Sequence, residues 1–177
     1  MAILRHPDTV LVIKFSPNGQ LVATSCMDLS CRVFEATTGQ ILSKIDFDIV
    51  WFGISALVWQ DDNRVIVGAC NSDGSILQWK VDQASLDTLD TGGHDKEVIS
   101  LAYQTSSSML GATVLRGNGM DGWMHGGRRL DGELFVYLLS SSTSPIHRLP
   151  GFQYLVTEVK FHPVHPILAA LHSNGKV

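Results

Sequence analysis

The stretch VLVIKF at residues 10–15 is a short run of alternating character that ends in an aromatic residue, and the chain repeats it three times. The copies are ISALVW at 54–59, VISLAY at 98–103 and VTEVKF at 156–161. The final aromatic residues of the first three runs are 44 residues apart, and the last follows after 58. Because side chains of a strand point alternately to its two faces, these runs indicate β-strands.

Turn residues provide a second set of landmarks. Asp28, Asp73, Asp131 and Asn174 follow the four runs at intervals of 45, 58 and 43 residues. Asp-Gly and Asn-Gly between apolar segments are typical of hairpins. Both sets of landmarks place the extra residues in the third repeat, and no stretch shows sustained helical periodicity. A period of about 40–45 residues with four strands per unit predicts an all-β fold, namely an incomplete β-propeller of four-stranded antiparallel blades.

Several motifs resemble those of the WD-repeat family. They are KFSPNGQL at 14–21, RVFE at 32–35, TTGQ at 37–40, NSDGSILQW at 71–79, GH at 93–94 and FHP at 161–163. The resemblance covers residues 1–177 as a single partial propeller domain. Its repeats span about 6–45, 46–92, 93–151 and 154–177, and the last repeat is truncated.

The resemblance implies a hydrogen-bonded network within each repeat, formed by a His, a Ser or Thr, an Asp and a Trp. Those positions correspond to His6, Thr24, Asp28 and Phe34 in repeat one, to Asp73 and Trp79 in repeat two, and to His94, Asp131 and Tyr137 in repeat three. Phe34 has no hydrogen-bond donor, so the first network is incomplete. We interpret Asp28, Asp73, Trp79, His94 and Asp131 as structural residues.

The extra residues of repeat three form a loop insertion at 116–130. In the resembled family this loop lies on the face where partners dock. It carries Trp123, Arg128 and Arg129, and aromatic and Arg side chains are enriched at interface hot spots. We predict that these three residues bind a partner protein. The alternatives are a solvated, mobile glycine-rich loop and an unspliced scrap of sequence.

Three other patterns suggest chemistry. GNGMDG at 117–122 matches the G-x-G-x-x-G motif of dinucleotide sites, but Gly126-Gly127 interrupts the helix that such a site needs. DTG at 90–92 matches an aspartic-protease triplet with no second copy. His162, His165 and His172 lie on strands and turns where convergence on a metal ion is not implied. We therefore predict no catalytic residue, no cofactor and no metal site.

The composition excludes some functions. Apolar residues make up 45%, charged residues 17%, and the net charge is −4, which disfavours nucleic acid as a partner. Of the three cysteines, Cys26 and Cys31 flank the Asp28 turn and are expected to be small buried side chains. The most apolar stretch, 49–59, is too short to span a membrane, and residues 1–5 do not resemble a signal peptide. An intracellular protein of the cytoplasm or nucleus is expected.

We interpret the chain as a scaffold that holds other proteins and is not an enzyme. The alternative is a dinucleotide-dependent oxidoreductase that uses Gly117–Gly122. Three and a half repeats leave an apolar edge at 167–171, so the chain is expected to be a fragment of a longer propeller or to be completed by a partner or a second copy. Residues 1–4 are a candidate outer strand of a closing blade.

Overall fold

The structure is a computed structural model that describes residues 2–47, 54–68, 75–90, 96–116, 131–140, 144–152 and 155–177. Within these ranges it contains strands and turns and no helix. The strands are β1 Val10–Phe15, β2 Leu21–Cys26, β3 Ser30–Glu35, β4 Ile41–Asp46, β5 Ala56–Trp59, β6 Arg64–Gly68, β7 Ile76–Lys80, β8 Ser85–Asp90, β9 Lys96–Gln104, β10 Met109–Arg116, β11 Asp131–Leu138, β12 Pro145–Phe152, β13 Val156–Phe161 and β14 Leu168–His172.

The strands form three four-stranded sheets and one two-stranded sheet, each in sequential order. Sheet 1 contains β1–β4, sheet 2 β5–β8, sheet 3 β9–β12 and sheet 4 β13–β14, and all pairs are antiparallel. This confirms the predicted all-β fold of four-stranded antiparallel blades with an open arrangement. Each aromatic-ended run of the sequence overlaps the first strand of its sheet, and β9 extends beyond its run at both ends.

Neighbouring sheets bury apolar side chains between them. Ala23 and Val33 of sheet 1 pack with Trp59 and Trp79 of sheet 2 in one core cluster. A second cluster lies between sheets 2 and 3, and a third between sheets 3 and 4. Burial of apolar surface stabilises the folded state by about 25 cal/mol per Å². Because the apolar side chains of each sheet are buried against the neighbouring sheets, each sheet depends on its neighbours for its core.

Hydrogen bonds between sheets hold the first strands in place. Trp59 Nε1 donates to the carbonyl oxygen of Lys14 at 3.0 Å. Serine side chains make the other contacts: Ser25 Oγ donates to the Ile54 carbonyl at 2.7 Å, Ser55 Oγ donates to the Val98 carbonyl at 2.7 Å, and Ser100 Oγ accepts from the Val159 amide at 3.3 Å. These contacts keep β1, β5, β9 and β13 side by side.

The loops that follow these first strands lie at one end of the stack, which we call the Asn18 end. There the Asn18 amide donates to Asp62 Oδ1 at 3.0 Å, linking sheets 1 and 2. Gln104 Nε2 donates to the carbonyl oxygens of His162 and His165 at 2.6 and 2.8 Å, linking sheets 3 and 4. The β2–β3, β6–β7 and β10–β11 connections leave the opposite end, which we call the Asp28 end.

Residues 2–6 form no strand, so the candidate outer strand at 1–4 is not formed by residues 2–4. They lie against sheet 1 instead. Gly39 has φ +75°, and a Cβ there would be 3.3 Å from the Ile3 carbonyl oxygen and 3.4 Å from the Ala2 Cβ. The His6 ring contacts Phe34. The amino-terminal segment therefore covers the outer half of one face of sheet 1.

Gly68→Ala is expected to destabilise the stack. A Cβ at Gly68 would lie 2.4 Å from Val98 Cγ1 and 2.8 Å from Val98 Cβ, inside the core between sheets 2 and 3. Overpacking of this kind costs about 1–3 kcal/mol, measurable by urea unfolding. Gly111→Ala is the matched control with a smaller expected loss, because its Cβ would meet the flexible end of Leu168 at 3.2 Å and Phe161 Cε2 at an ordinary contact distance of 3.6 Å. Equal losses for the two variants would contradict this packing.

Candidate functional site

The β2–β3 turn at the Asp28 end contains an ordered acidic residue. Leu29 adopts φ 63°, which lets Asp28 point back at the following strand. Asp28 Oδ1 accepts hydrogen bonds from the Ser30 hydroxyl at 2.7 Å and from the Ser30 amide at 3.3 Å. Both carboxylate oxygens also accept from the Arg32 guanidinium, with 3.3 Å between Oδ1 and Nη1. A bidentate ion pair between Asp28 and Arg32 thus closes the turn.

Arg32 lies at the centre of this cluster, with only 6% of its surface exposed. The Arg32 Nη1 and His6 Nδ1 atoms are 3.5 Å apart, and the His6 ring meets Phe34 edge-on at 5.2 Å between centroids. The Thr24 hydroxyl donates to the Arg32 carbonyl at 3.4 Å. A nearly buried cation is stable here because a carboxylate pairs with it.

Electrostatics within the cluster are consistent with this arrangement. The hydrogen bond from Arg32 holds the pKa of Asp28 well below its usual range, with a further contribution from Ser30. The same hydrogen bond raises the pKa of Arg32. Burial, and then the positive charge of Arg32, lower the pKa of His6 and favour its neutral ring. Because a guanidinium only donates, Nδ1 of the His6 ring is the acceptor in its contact with Arg32.

The cluster brings together all four residues that the sequence assigned to the first network, but in a different way. The predicted network needs a hydrogen-bond donor at the Trp position. Phe34 has no such donor, and its ring packs edge-on against the His6 ring. Arg32 occupies the centre and was missed by the sequence analysis. The available signal was the hairpin register, which places Arg32 opposite Thr24.

The other predicted structural residues are only partly described. Trp79 is fully buried, and its Nε1 finds no hydrogen-bond partner among the described residues. Asp73 and His94 lie outside those residues, so the networks of repeats two and three stay predictions. Asp131 begins β11, where its backbone pairs with Arg116.

The predicted partner-binding residues Trp123, Arg128 and Arg129 also lie outside the described residues. Their loop joins β10 to β11, which are adjacent antiparallel strands whose register runs from Met109↔Leu138 to Arg116↔Asp131. The loop is therefore a hairpin connection. A dinucleotide site needs a crossover between parallel strands, so this register argues against the G-x-G-x-x-G interpretation of residues 117–122.

Other candidate chemistry lies elsewhere in the described chain. The His162 and His165 rings are 4.9 Å apart, but His162 Nδ1 accepts the amides of Val164 and His165 at 3.1 and 3.0 Å. Cys26 and Cys31 are free and buried, as expected, and burial raises the pKa of Cys31 to about 12. Within the described residues no group of three metal-ligating side chains converges, and no helix is long and apolar enough to cross a membrane.

The first strands of the four sheets line a groove of about 330 Å³. Lys14 of sheet 1 and Glu158 of sheet 4 contribute opposite charges, while Ser55, Ser100 and Thr157 contribute hydroxyls. The hydrogen bond and charge of Lys160, together with the charge of Lys14, lower the pKa of Glu158. The groove is thus a polar, charged surface along the inner side of the stack.

Comparisons with known proteins agree with this architecture. The family model for the WD domain, G-beta repeat, matches residues 1–35. The ribosome biogenesis protein BOP1 homologs of Leishmania infantum and Leishmania major are each 46% identical over 41 residues, which is 23% of this chain and 5% of each relative. The chain therefore matches only a small part of these curated relatives.

Two solved structures resemble almost the whole chain. The computationally designed Ika4 protein has a TM-score of 0.69 and 21% identity, over 99% of this chain and 92% of its own. A chain of a mitotic checkpoint complex also has a TM-score of 0.69, with 16% identity over 97% of this chain and 48% of its own. These likenesses show a β-propeller fold. The family match adds that residues 1–35 are similar in sequence to a WD repeat.

Asp28→Asn is expected to destabilise the protein at neutral pH, because it removes the charge that partners the buried Arg32. Asp28 has a lowered pKa when folded, so its contribution is fully present above the unfolded pKa of about 4 and is lost as pH falls below that value. The free-energy difference between wild type and variant, from urea unfolding across pH 7 to 3, should therefore shrink below about pH 4.

Asp46→Asn is the matched control, since Asp46 pairs with Lys44 on an exposed strand. Its effect should stay within about 0.5 kcal/mol. A deficit for Asp28→Asn no larger than that of the control would show that the ion pair does not hold the turn.

Proposed function

We propose that the chain is a protein-interaction scaffold, with partners bound at the Asp28 end of the stacked blades. The observation that carries this proposal is the arrangement of three complete sheets around shared cores, which leaves the β2–β3, β6–β7 and β10–β11 connections at one end. Loops positioned by a rigid framework are where binding residues concentrate. The WD-repeat match at residues 1–35 supports the same role.

Within that end, the longest connection is residues 117–130. It joins two strands that are fixed by eight register pairs, and it carries Trp123, Arg128 and Arg129. Long loops in compact domains are often functional. Trp and Arg side chains are enriched at interface hot spots. We propose that this loop supplies the main contacts.

The role is proposed to be non-catalytic and the location intracellular. The partners are proposed to be proteins or peptides, since the net charge of −4 opposes a nucleic-acid surface. The curated relatives are 46% identical to this chain over 41 residues, so the proposal draws on them for the repeat alone and does not carry over their place in ribosome biogenesis. The oxidoreductase alternative is disfavoured by the antiparallel register of β10 and β11.

The test compares proteins captured from a cell extract on the immobilised chain. Trp123→Ala combined with Arg128→Ala and Arg129→Ala should lower the yield of specific partners at least tenfold, because each lost hot spot costs about 1–2 kcal/mol or more. Quantitative mass spectrometry measures the yield, and circular dichroism confirms an unchanged fold.

The matched control is Lys44→Ala with Asp46→Ala, a pair on the exposed outer strand β4. This control should retain every partner. Capture of the same partners, in the same amounts, by the loop variant and the wild type would exclude the loop as the contact surface.

A further inference from the structure

The amino-terminal segment, residues 2–6, lies on sheet 1 without forming a strand of its own. The ladder of backbone hydrogen bonds that fixes a strand is therefore not what holds it. At one end of the segment, the Ile3 carbonyl oxygen lies 3.3 Å from the place of a Cβ on Gly39. At the other end, the His6 ring packs edge-on against Phe34, which is only 1% exposed. His6 thus joins the segment to a buried side chain of sheet 1.

The surroundings of the His6 ring nitrogens suit a neutral imidazole. Nδ1 is 3.5 Å from Arg32 Nη1 and acts as the acceptor of that contact. Nε2 is buried and has no hydrogen-bond partner in the part of the chain that the structure describes. A second proton on the ring would place a donor on Nδ1 against the donors of Arg32. It would also leave a charged N–H group buried without an acceptor, which is costly.

Two charged side chains act on the His6 ring in opposite directions. Arg32 of β3 opposes protonation of the ring, whereas Asp28 of the β2–β3 turn favours it. Burial and the Arg32 charge outweigh the effect of Asp28, so the pKa of His6 is lowered. Water screens the remaining charged groups close to His6 in sequence or close to Arg32 in the sheet. These exposed side chains are Arg5, Asp8, Lys44 and Asp46.

We propose that His6 makes the docking of the amino-terminal segment on sheet 1 dependent on pH. While the His6 ring is neutral, the segment stays packed on Phe34. When the ring is protonated, the segment detaches and sheet 1 stays folded. Detachment removes the cover that His6 gives to Phe34 and opens the side of the nearly buried Arg32 that faces the ring.

The pH range follows from the linkage between docking and protonation. Because the pKa of His6 is lower in the docked state, docking is at full strength above the ordinary histidine pKa of about 6.5. Below that pH the docking constant falls by up to about tenfold per pH unit, until the docked pKa is reached. Asp28 keeps its charge in this range, because its pKa is held well below its usual range. The ion pair with Arg32 therefore holds the turn while the segment is released.

Nuclear magnetic resonance of the full chain tests this proposal. The heteronuclear Overhauser effect of the backbone amides of residues 2–6 reports whether the segment is rigid on the fast timescale. Wild type should give values typical of a strand at about pH 7.5 and values typical of a mobile terminus at about pH 5. The signals of β2–β4 should stay in place. The imidazole signals of His6 should titrate with the same midpoint as the release of the segment, at a pH below about 6.5.

His6→Gln tests the role of the charge, because an amide offers an acceptor to Arg32 and does not titrate. This variant should stay docked at both pH values. The matched control is His147→Gln, which changes an exposed histidine of β12 in sheet 3 and should behave as the wild type does. If His6→Gln is mobile at both pH values, the wild-type titration decides, and a segment that detaches with a midpoint different from that of His6 overturns the proposal.

Three further results would overturn it. The first is a wild-type segment that is equally rigid, or equally mobile, at both pH values. The second is a release of the segment in His6→Gln that follows pH as in the wild type, since another group would then be titrating. The third is loss of the β2–β4 signals together with docking, because the whole sheet would then be unfolding.

Discussion

The packing of each sheet against its neighbour is the interaction on which the rest of the structure depends. A four-stranded antiparallel sheet has two faces, and one sheet alone cannot bury either of them. Here the end of each first strand carries an aromatic residue, and Trp59 shows how it works. Its ring is buried against sheet 1 while its N–H finds the Lys14 carbonyl. The apolar body and the polar atom of one side chain are both satisfied by the neighbour.

The same dependence explains why function is proposed at the ends of the strands. The faces that neighbouring sheets turn toward each other are used for stacking, so the connections and the inner groove are among the surfaces left for other molecules. At the Asp28 end the β2–β3 turn is held by an ion pair to a nearly buried Arg32. A turn fixed in this way loses little conformational entropy on binding, and that favours recognition by a rigid surface.

Much of the fold could be predicted from the sequence because its signals are local and repeated. Alternation over 10–15 and its copies defined the first strands, and the turn residues defined the hairpins. Arg32 could not be predicted, because its role depends on which residue lies opposite it across the hairpin and on the segment that folds over it. The sequence analysis also missed Ser25 and Ser55, whose hydroxyls donate hydrogen bonds to the neighbouring sheet. A serine in a strand does not show in the sequence that a carbonyl of another sheet will lie beside it. The loop residues Trp123, Arg128 and Arg129 stay predictions.

The central claim is that the sheets stabilise one another through the aromatic residue of the first strand, and native-state hydrogen exchange on Trp59→Ala tests it most directly. The account predicts that amides of β2 and β3 in sheet 1 lose protection together with those of β6 and β7 in sheet 2, because both sheets lose the same core. Loss of protection confined to β5–β8 would contradict the account, since sheet 1 would then be stable without its neighbour.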